Sequence, residues 1–267
     1  MYAFEYQRAK SVADASSALA KTGGKALAGG QSLVGAMKLR LANPGTVVDL
    51  SGIPDLNGIK KDGSGDNAAI VIGALTTHAE VASSPVVRQA IPALAELAEG
   101  IGDRQVRNRG TIGGSIANND PAADYPAAVL ALGATVQTNK RKIAADDFFK
   151  GMYETALAAD EIITSVSFPI PKKAAYVKFP QPASRFALVG VLVADTRSGI
   201  RVAVTGAAAH VHRATAIENA LAKSFTADAA KAVKISSDHL NTDLHGSAEY
   251  RAHLVSVLAS RAVAAAR

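Results

Sequence analysis

The sequence predicts an α+β protein, because helical and strand-like segments are mixed along the whole chain. Hydrophobic residues make up 48% of the 267 residues and charged residues 19%. This balance allows a substantial core and excludes wholesale disorder. Pro169 and Pro171 interrupt the pattern, since two prolines so close together cannot continue a strand ladder. We therefore expect an N-terminal α+β region to about residue 170, followed by a region of strands and then helices.

Each element of the N-terminal region is predicted from a local signal. Ser11 can cap a helix that Gly23 ends, and Thr77 with Glu80 can form a capping box for a helix over residues 78–82. Residues 86–99 have a helical period that Pro92 interrupts. Apolar and β-branched runs predict strands at residues 26–28, 47–50, 70–74, 134–138, 143 and 162–168, and a helix is expected over residues 122–132. The glycine-punctuated segment 100–114 shows no clear period.

The C-terminal region is predicted to contain strands at residues 175–179, 187–195 and 201–206, then helices at residues 214–223, 227–235 and 249–265. The longest apolar run, residues 186–194, is about half of the roughly 18 residues that span a bilayer. The first residues show no charged segment followed by an apolar one, so no secretory signal is predicted. We expect a soluble, cytoplasmic protein without a transmembrane segment.

Composition excludes several kinds of chemistry. The chain has no cysteine, which rules out a disulfide framework, a thiolate zinc site, a cysteine-ligated iron–sulfur cluster and a cysteine nucleophile within it. The net charge is +6, but the basic residues are scattered, and the densest run, residues 139–142, is predicted to be a solvated turn. Without a basic helix or an aromatic-interleaved basic stripe, nucleic-acid binding is not expected.

Two segments combine paired glycines with hydroxyl side chains: residues 28–33, the first glycine loop, and residues 109–115, the second glycine motif. Glycine lets a ligand approach the main chain closely, and successive N–H groups in such turns suit phosphate oxygens. Ser32, Thr111 and Ser115 can add hydroxyl donors. Taken alone, each glycine pair is better explained as a tight turn. Neither matches the Rossmann fingerprint or the P-loop, which argues against NAD or ATP at these turns.

The flanking residues extend both segments into long motifs. Residues 28–40 are followed by residues 44–50, and the second motif runs over residues 105–126. In this order and at this spacing the motifs resemble the FAD-binding medium subunit of the molybdenum hydroxylases, the carbon monoxide dehydrogenase and xanthine dehydrogenase family. The resemblance covers almost the whole chain. It is much closer to the carbon monoxide dehydrogenase medium subunits than to the fused eukaryotic xanthine enzymes.

The resemblance implies a fold and a domain organisation. Residues 1–170 would form an FAD-binding domain of the PCMH/vanillyl-alcohol-oxidase-like type, with two α+β subdomains at about 1–57 and 58–170 that hold FAD between them. Residues 174–267 would form a C-terminal α+β domain, of the CO dehydrogenase flavoprotein type, that covers the flavin.

The resemblance also implies cofactor-binding residues. The first glycine loop would wrap the FAD pyrophosphate through backbone N–H groups, and the second glycine motif would contact it from the other side. Gln31 and Ser115 depart from the residues that close relatives often carry. The full set assigned to the cofactor in this way is Ala28, Gly29, Gly30, Gln31, Ser32, Leu33, Ile101, Val106, Gly110, Thr111, Gly113, Gly114, Ser115, Asn118, Asp124, Ile163 and Lys178. No catalytic residue and no metal ligand is expected on this chain.

Three of the implied positions have a structural alternative. Asp124 matches a family acid near the dinucleotide, or it caps the helix that follows it. Lys178 matches a family lysine close to the isoalloxazine ring, where a cation would raise the reduction potential, or it is an exposed strand lysine. Phe186 lies against the flavin or packs in the core.

Other ionisable residues give weaker signals. The alternation of a strand would place His210 and His212 on one face, as a metal pair requires. Two histidines without a nearby carboxylate make a weak site, so surface histidines are the favoured interpretation. Asp146 and Asp147 would diverge on a strand, and a turn is favoured over a glycosidase pair.

The predicted function is electron transfer. The resemblance implies a flavoprotein subunit that passes electrons from [2Fe–2S] clusters of a small subunit through FAD to a terminal acceptor. The substrate would react at a molybdenum cofactor on a large subunit, in a dimer of heterotrimers. The alternatives are a free-standing FAD-dependent oxidase of the same superfamily and an interaction scaffold that has lost FAD. The absence of a cysteine, and of a histidine close in sequence to either glycine segment, counts against a covalently tethered oxidase flavin.

Overall fold

The chain begins with a three-stranded parallel sheet. The computed structural model describes residues 1–267 and orders the strands β1 (Glu5–Arg8), β3 (Thr46–Asp49) and β2 (Lys25–Leu27). Helix α1 (Val12–Thr22) connects β1 to β2, and helix α2 (Leu33–Lys38) follows β2. The predicted cap is confirmed, because the Asp14 amide donates to Ser11 Oγ at 3.1 Å. This arrangement places the first glycine loop directly between a strand and a helix.

A five-stranded antiparallel sheet forms the second unit. Its strands lie in the order β4-β5-β10-β6-β7, with bounds Ile59–Asp62, Ala69–Gly73, Ile163–Pro169, Thr135–Thr138 and Lys142–Ala144. Seven short helices connect β5 to β6 and follow β7: α3 His78–Ser83, α4 Pro85–Ala90, α5 Pro92–Glu99, α6 Arg104–Arg107, α7 Ile112–Asn118, α8 Tyr125–Ala131 and α9 Ala145–Phe148. A small hairpin, β8 Phe149–Gly151 with β9 Glu154–Thr155, completes the unit. The predicted Thr77–Glu80 capping box is confirmed.

The C-terminal unit is a four-stranded antiparallel sheet with helices on one side. Its strands are β11 Lys173–Pro180, β12 Ala187–Thr196, β13 Gly199–Thr205 and β14 His212–Arg213, in that order across the sheet. Three helices follow: α10 Thr215–Lys223, α11 Ala227–Lys231 and α12 Ala248–Ala265. None of the helices in the chain has both the length and the apolar character that crossing a membrane requires.

Strand β12 separates two hydrophobic cores. Val191 and Val193 belong to the core beneath the C-terminal helices, whereas Leu192 and Ala194 belong to the larger core of the five-stranded unit. Successive side chains of a strand point to opposite faces, so both faces of β12 are buried. This explains why residues 187–194 form a continuous apolar run instead of an alternating one. The C-terminal sheet is therefore fixed against the unit that contains the second glycine motif.

Two expectations need correction, and one segment without a predicted element is partly helical. The segment 100–114 contains helix α6 and the start of α7, which glycines and short lengths conceal in the sequence. Asp146 and Asp147 lie on helix α9, neither on a strand nor in a turn, and Asp146 pairs with Arg201 at 2.8 Å. The turn at residues 139–142 is not merely solvated, because Arg141 pairs with the buried Glu161 at 3.0 Å. Short-range patterns miss the last two cases because ion pairs with residues distant in sequence decide them.

Candidate functional site

The first glycine loop leaves its backbone donors free. The N–H groups of residues 29–33 make no hydrogen bond to any backbone or side-chain acceptor of the chain. Gly30 has φ 76°, a conformation that favours glycine, and Ser32 makes no capping bond to α2 although it occupies the capping position. Five consecutive donors are therefore available to an acceptor from outside the chain.

The second glycine motif uses most of its donors internally. The Gly113 amide donates to the Ala74 carbonyl at 2.8 Å, and the Ser115 amide donates to the Thr111 carbonyl at 3.0 Å. The Gly114 amide donates to Thr111 Oγ1 at 3.2 Å. The expectation that both glycine segments offer a row of N–H groups is therefore wrong for this motif. Its glycines begin a helix that packs tightly against the end of β5.

The two segments touch each other. A Cβ on Gly29 would collide with the carbonyl of Arg109 and approach Gly110 Cα to 3.0 Å. On the other side, a Cβ on Gly114 would lie 3.5 Å from Ala28 Cβ. The missing side chains therefore bring two distant parts of the chain together, and the free amides of the first glycine loop lie at the junction.

The buried side chain of His78 packs against this junction. Its side chain is 5% exposed, and a Cβ on Gly110 would lie 2.5 Å from His78 Nε2. Burial, together with the smaller effect of the nearby Arg107 charge, lowers the pKa of His78 to about 4. The ring is consequently neutral near pH 7, and it packs on Tyr125 with ring centroids 5.2 Å apart.

Three cations hold the loop at residues 100–102. Lys178 Nζ donates to the Gly100 carbonyl at 2.9 Å, and Arg107 donates to the Ile101 carbonyl at 2.9 Å. Arg185, from the C-terminal domain region, donates to the Gly102 carbonyl at 3.2 Å. Ile101 is thus placed next to Lys178, and Val106 follows on α6, where its carbonyl accepts the Gly110 amide at 2.7 Å. This loop links Lys178 to the glycine segments.

Lys178 and Asp124 form a buried ion pair. Lys178 Nζ lies 3.0 Å from Asp124 Oδ1, and the two side chains are 12% and 4% exposed. The exposed-lysine alternative is therefore wrong. Asp124 makes no capping bond to α8, so the capping alternative is wrong as well. Burial raises the pKa of Asp124, while Lys178 and a hydrogen bond from Tyr176 oppose that rise.

The remaining predicted residues differ in exposure. Gln31 and Ser32 are exposed, and Leu33, Ser115 and Asn118 are half-buried. Ile163 is 5% exposed and belongs to the main core. Phe186 is 48% exposed, so the core alternative for it is wrong. The structure brings the glycine segments, residues 100–106, Asp124 and Lys178 into one continuous region, whereas Ile163 lies on β10 with its side chain in the main core.

The histidine pair does not make a metal site. His210 precedes strand β14, on which His212 lies, and both are half-buried instead of lying on the surface. Burial lowers the pKa of His212. No group of three or more histidine, aspartate or glutamate side chains is arranged to hold a metal ion.

Sequence reasoning missed four residues of this region: His78, Arg107, Tyr176 and Arg185. For Tyr176 a signal was present, because residues two apart on a strand share a face, and Tyr176 precedes Lys178 by two. The other three act through backbone carbonyls or burial. No local pattern in a single sequence marks such contacts.

Comparisons with known proteins agree with this geometry. A family model described as "FAD binding domain in molybdopterin dehydrogenase" matches residues 2–171. A second, described as "CO dehydrogenase flavoprotein C-terminal domain", matches residues 174–266. Together the two models cover both the glycine segments and the strand that carries Lys178. The chain belongs to the FAD-binding medium subunits of the molybdenum hydroxylases.

Named relatives of this medium subunit match along nearly their full length. The chain is 37% identical to the carbon monoxide dehydrogenase medium chain of Hydrogenophaga pseudoflava, over 98% of this chain and 96% of the relative. It is 38% identical to the nicotine 6-hydroxylase medium subunit of Paenarthrobacter nicotinovorans, with the same coverage of 98% and 96%. The chain is thus a subunit of an oxidoreductase family whose relatives act on different substrates.

A solved structure gives the same result for the fold. Carbon monoxide dehydrogenase from Hydrogenophaga pseudoflava, in a form that lacks the Mo-pyranopterin moiety of the molybdenum cofactor, superposes with a TM-score of 0.89. Sequence identity is 38%, and the match covers 99% of this chain and 97% of the other. The predicted fold class is confirmed.

Proposed function

We propose that this medium subunit holds one FAD between its two glycine segments and passes electrons through it from an iron–sulfur small subunit to a terminal acceptor. The observation that carries the proposal is the row of five free amides at residues 29–33. These amides lie where Gly29 meets the Arg109 carbonyl. A diphosphate, which is negatively charged and rich in acceptor oxygens, fits such a donor row.

The two glycine segments would hold the cofactor in different ways. The first glycine loop would offer main-chain N–H groups to the pyrophosphate. The second glycine motif would offer the hydroxyls of Thr111 and Ser115, and its helix would fix the position of the first loop. The residues proposed to hold FAD are Ala28, Gly29, Gly30, Gln31, Ser32, Leu33, Ile101, Val106, Gly110, Thr111, Gly113, Gly114, Ser115, Asn118, Asp124, Ile163 and Lys178.

Lys178 would act through its charge. FAD, when bound, supplies the redox chemistry, since a flavin takes up electrons singly or in pairs. An ammonium has three N–H donors, and those of Lys178 are directed at the Gly100 carbonyl, the Arg185 carbonyl and Asp124. The side chain is therefore rigidly placed, and a fixed cation stabilises the negative charge that reduction adds.

Partner subunits would supply the rest of the reaction. The chain contains no cysteine, so [2Fe–2S] clusters ligated by cysteine have to lie on another chain. By similarity to the medium chains and medium subunits named above, we propose a small iron–sulfur subunit and a large molybdenum subunit, assembled as a dimer of heterotrimers. The proposed domains are residues 1–170, with subdomains 1–57 and 58–170, and residues 174–267. A cytoplasmic location stays a prediction that cell fractionation can test.

Purification of the tagged chain from its native source tests the proposal. We expect a yellow complex with one noncovalent FAD per chain, released on denaturation, and two further subunits that carry iron–sulfur and molybdenum absorption and metal content. A flavin that oxidises an organic substrate without partners would favour the free-standing oxidase. A colourless chain that cannot be reconstituted with FAD would favour a scaffold.

A matched pair of variants links the result to the first glycine loop. Gly29→Val places a side chain against the Arg109 carbonyl, and we expect the purified complex to lack FAD. Gly35→Ala lies nearby on α2, where a Cβ meets nothing within 4 Å, and we expect full FAD content. Equal FAD content in both variants would contradict the proposed position of the pyrophosphate.

A further inference from the structure

Tyr176 contacts the ion pair that the proposed function uses. Its hydroxyl donates to Asp124 Oδ1 at 2.6 Å, and the same oxygen lies 3.0 Å from Lys178 Nζ. Both residues lie on strand β11, two positions apart, so they reach Asp124 from the same face. One buried carboxylate is therefore shared by a cation and a neutral donor.

The neighbouring strand β12 leaves space for the Tyr176 hydroxyl. Gly190 lies on β12, paired with Lys178 across the sheet. A Cβ at Gly190 would collide with the Tyr176 hydroxyl oxygen and would approach Thr205 Cγ2 to 2.9 Å. Gly190 has no positive φ, so backbone conformation does not require glycine there. The space for the tyrosine hydroxyl is what requires it.

The carboxylate has few other partners. Besides Lys178 and Tyr176, the titratable side chain nearest along α8 is Tyr125, whose hydroxyl has no hydrogen-bond partner. From the facing loops, Arg185 and Arg107 direct their guanidinium groups at backbone carbonyls of residues 101–102. The position of the Asp124 carboxylate is therefore set by Lys178 and Tyr176, and both partners oppose the rise in its pKa that burial causes.

We propose that Tyr176 is a positioning residue: its hydroxyl holds the Asp124 carboxylate against Lys178 and so sets how much positive charge the lysine presents to the flavin. This inference rests on the proposed function, because it requires FAD near Lys178. Tyr176 itself need not touch the cofactor. Its influence passes through one hydrogen bond and one ion pair.

The proposal has a consequence for pH dependence. While Asp124 is ionised, it cancels part of the Lys178 charge; when it takes up a proton, the lysine charge is uncompensated and the flavin potential rises. A hydrogen bond donated to a carboxylate favours its charged form. Without the Tyr176 hydroxyl, Asp124 binds its proton more tightly, so the step in the potential moves to higher pH.

The test uses the purified complex with its FAD bound. The midpoint potential of the FAD is measured spectroelectrochemically between about pH 5 and about pH 9, a range in which ordinary lysines remain charged. We expect Asp124→Asn to have a higher FAD midpoint potential than wild type at neutral pH. Its plot of potential against pH should also lack the step that protonation of Asp124 causes. We expect Tyr176→Phe to show the step at higher pH than wild type. Tyr125→Phe, which removes a buried hydroxyl without a partner, should superpose on wild type.

A second variant tests the same contact without removing the Tyr176 hydroxyl, in case Tyr176→Phe misfolds. Gly190→Ala keeps the Tyr176 hydroxyl but places a Cβ in its position, and it should move the step in the same direction as Tyr176→Phe. If both profiles superpose on wild type in FAD-loaded complexes, the role of Tyr176 is overturned while the proposed function stands. If the wild-type complex holds no FAD, the proposed function fails and this inference fails with it. A shift in Tyr125→Phe equal to that in Tyr176→Phe would also overturn the positioning role.

Discussion

The first glycine loop and the second glycine motif each pair glycines with a hydroxyl residue, yet they use their backbone donors in opposite ways. Residues 29–33 leave five amides free, whereas the amides of Gly113, Gly114 and Ser115 are all bonded within the chain. The first segment is a loop exposed at a junction. The second begins a helix whose glycines pack closely against the end of β5. Similar composition thus leaves backbone donors free in one region and uses them within the chain in the other.

The largest effect that would sharpen this comparison is expected at Gly113. A Cβ there would lie 2.6 Å from the Ala74 carbonyl oxygen and 2.9 Å from Ala74 Cα, which are backbone atoms that cannot rotate away. Gly113→Val should therefore lower the free energy of unfolding by about 3 kcal/mol, a typical cost of forced overpacking. Urea denaturation of the chain measures this change. Gly35→Ala is the control and should keep or raise the free energy of unfolding, by up to about 1 kcal/mol, because alanine favours the helix interior; a Gly113→Val variant as stable as wild type would break the comparison.

The adjacent glycine should behave differently. A Cβ on Gly114 would meet the Thr111 hydroxyl at 2.9 Å and Ala28 Cβ at 3.5 Å, so a valine there extends toward the first glycine loop and not into the core. We expect Gly114→Val to fold, as judged by circular dichroism, and to lose FAD, as judged by flavin absorbance after purification. Stoichiometric FAD in this variant would contradict the assignment of the junction as the pyrophosphate site.

Acidification should lower the free energy of unfolding through His78, which packs against the second glycine motif. Its pKa is lowered to about 4 in the folded chain from 6.5, so between these values the unfolded chain binds a proton that the folded chain does not. The free energy of unfolding should therefore fall as pH falls through this range, by about 3 kcal/mol, and level off below it.

Comparison with His78→Leu isolates this contribution. The leucine variant places an apolar side chain against Gly110, and that side chain cannot titrate. Its unfolding free energy should therefore depend less steeply on pH between about 4 and about 6.5. Chemical denaturation at a series of pH values measures both slopes. Parallel curves for the two proteins would show that His78 does not couple the motif to pH.

Sequence reasoning reached the fold and the family, because the signals involved are local. Capping residues, glycine pairs and prolines act over a few positions, so the helix that Ser11 begins and the break at Pro169 and Pro171 were both predicted correctly. The two long motifs identified the family for the same reason. All of these signals depend only on the spacing of residues along the chain.

The difference between the two glycine segments could not be predicted in this way. Whether an amide is free depends on acceptors such as the Ala74 carbonyl, which lies about forty residues away in sequence from Gly113. Likewise, Lys178 and Asp124 are 54 residues apart, and their pairing depends on how the C-terminal sheet packs on the N-terminal unit. Such contacts are set by tertiary packing, which a single sequence does not display.

The smallest expected effect separates the two hydroxyls. Thr111 Oγ1 accepts the Gly114 amide and caps α7, whereas Ser32 makes no capping bond. Thr111→Val should therefore lower the free energy of unfolding by about 1 kcal/mol, and Ser32→Ala should leave it unchanged within about 0.5 kcal/mol. Both variants lose one hydroxyl that we propose contacts the cofactor, so both should bind FAD several-fold more weakly, as fluorescence titration of the FAD-depleted chain measures. If Ser32→Ala destabilised the chain as much as Thr111→Val, both hydroxyls would be structural. A fall in FAD affinity with unchanged stability in Ser32→Ala alone marks the first glycine loop as the segment reserved for the ligand.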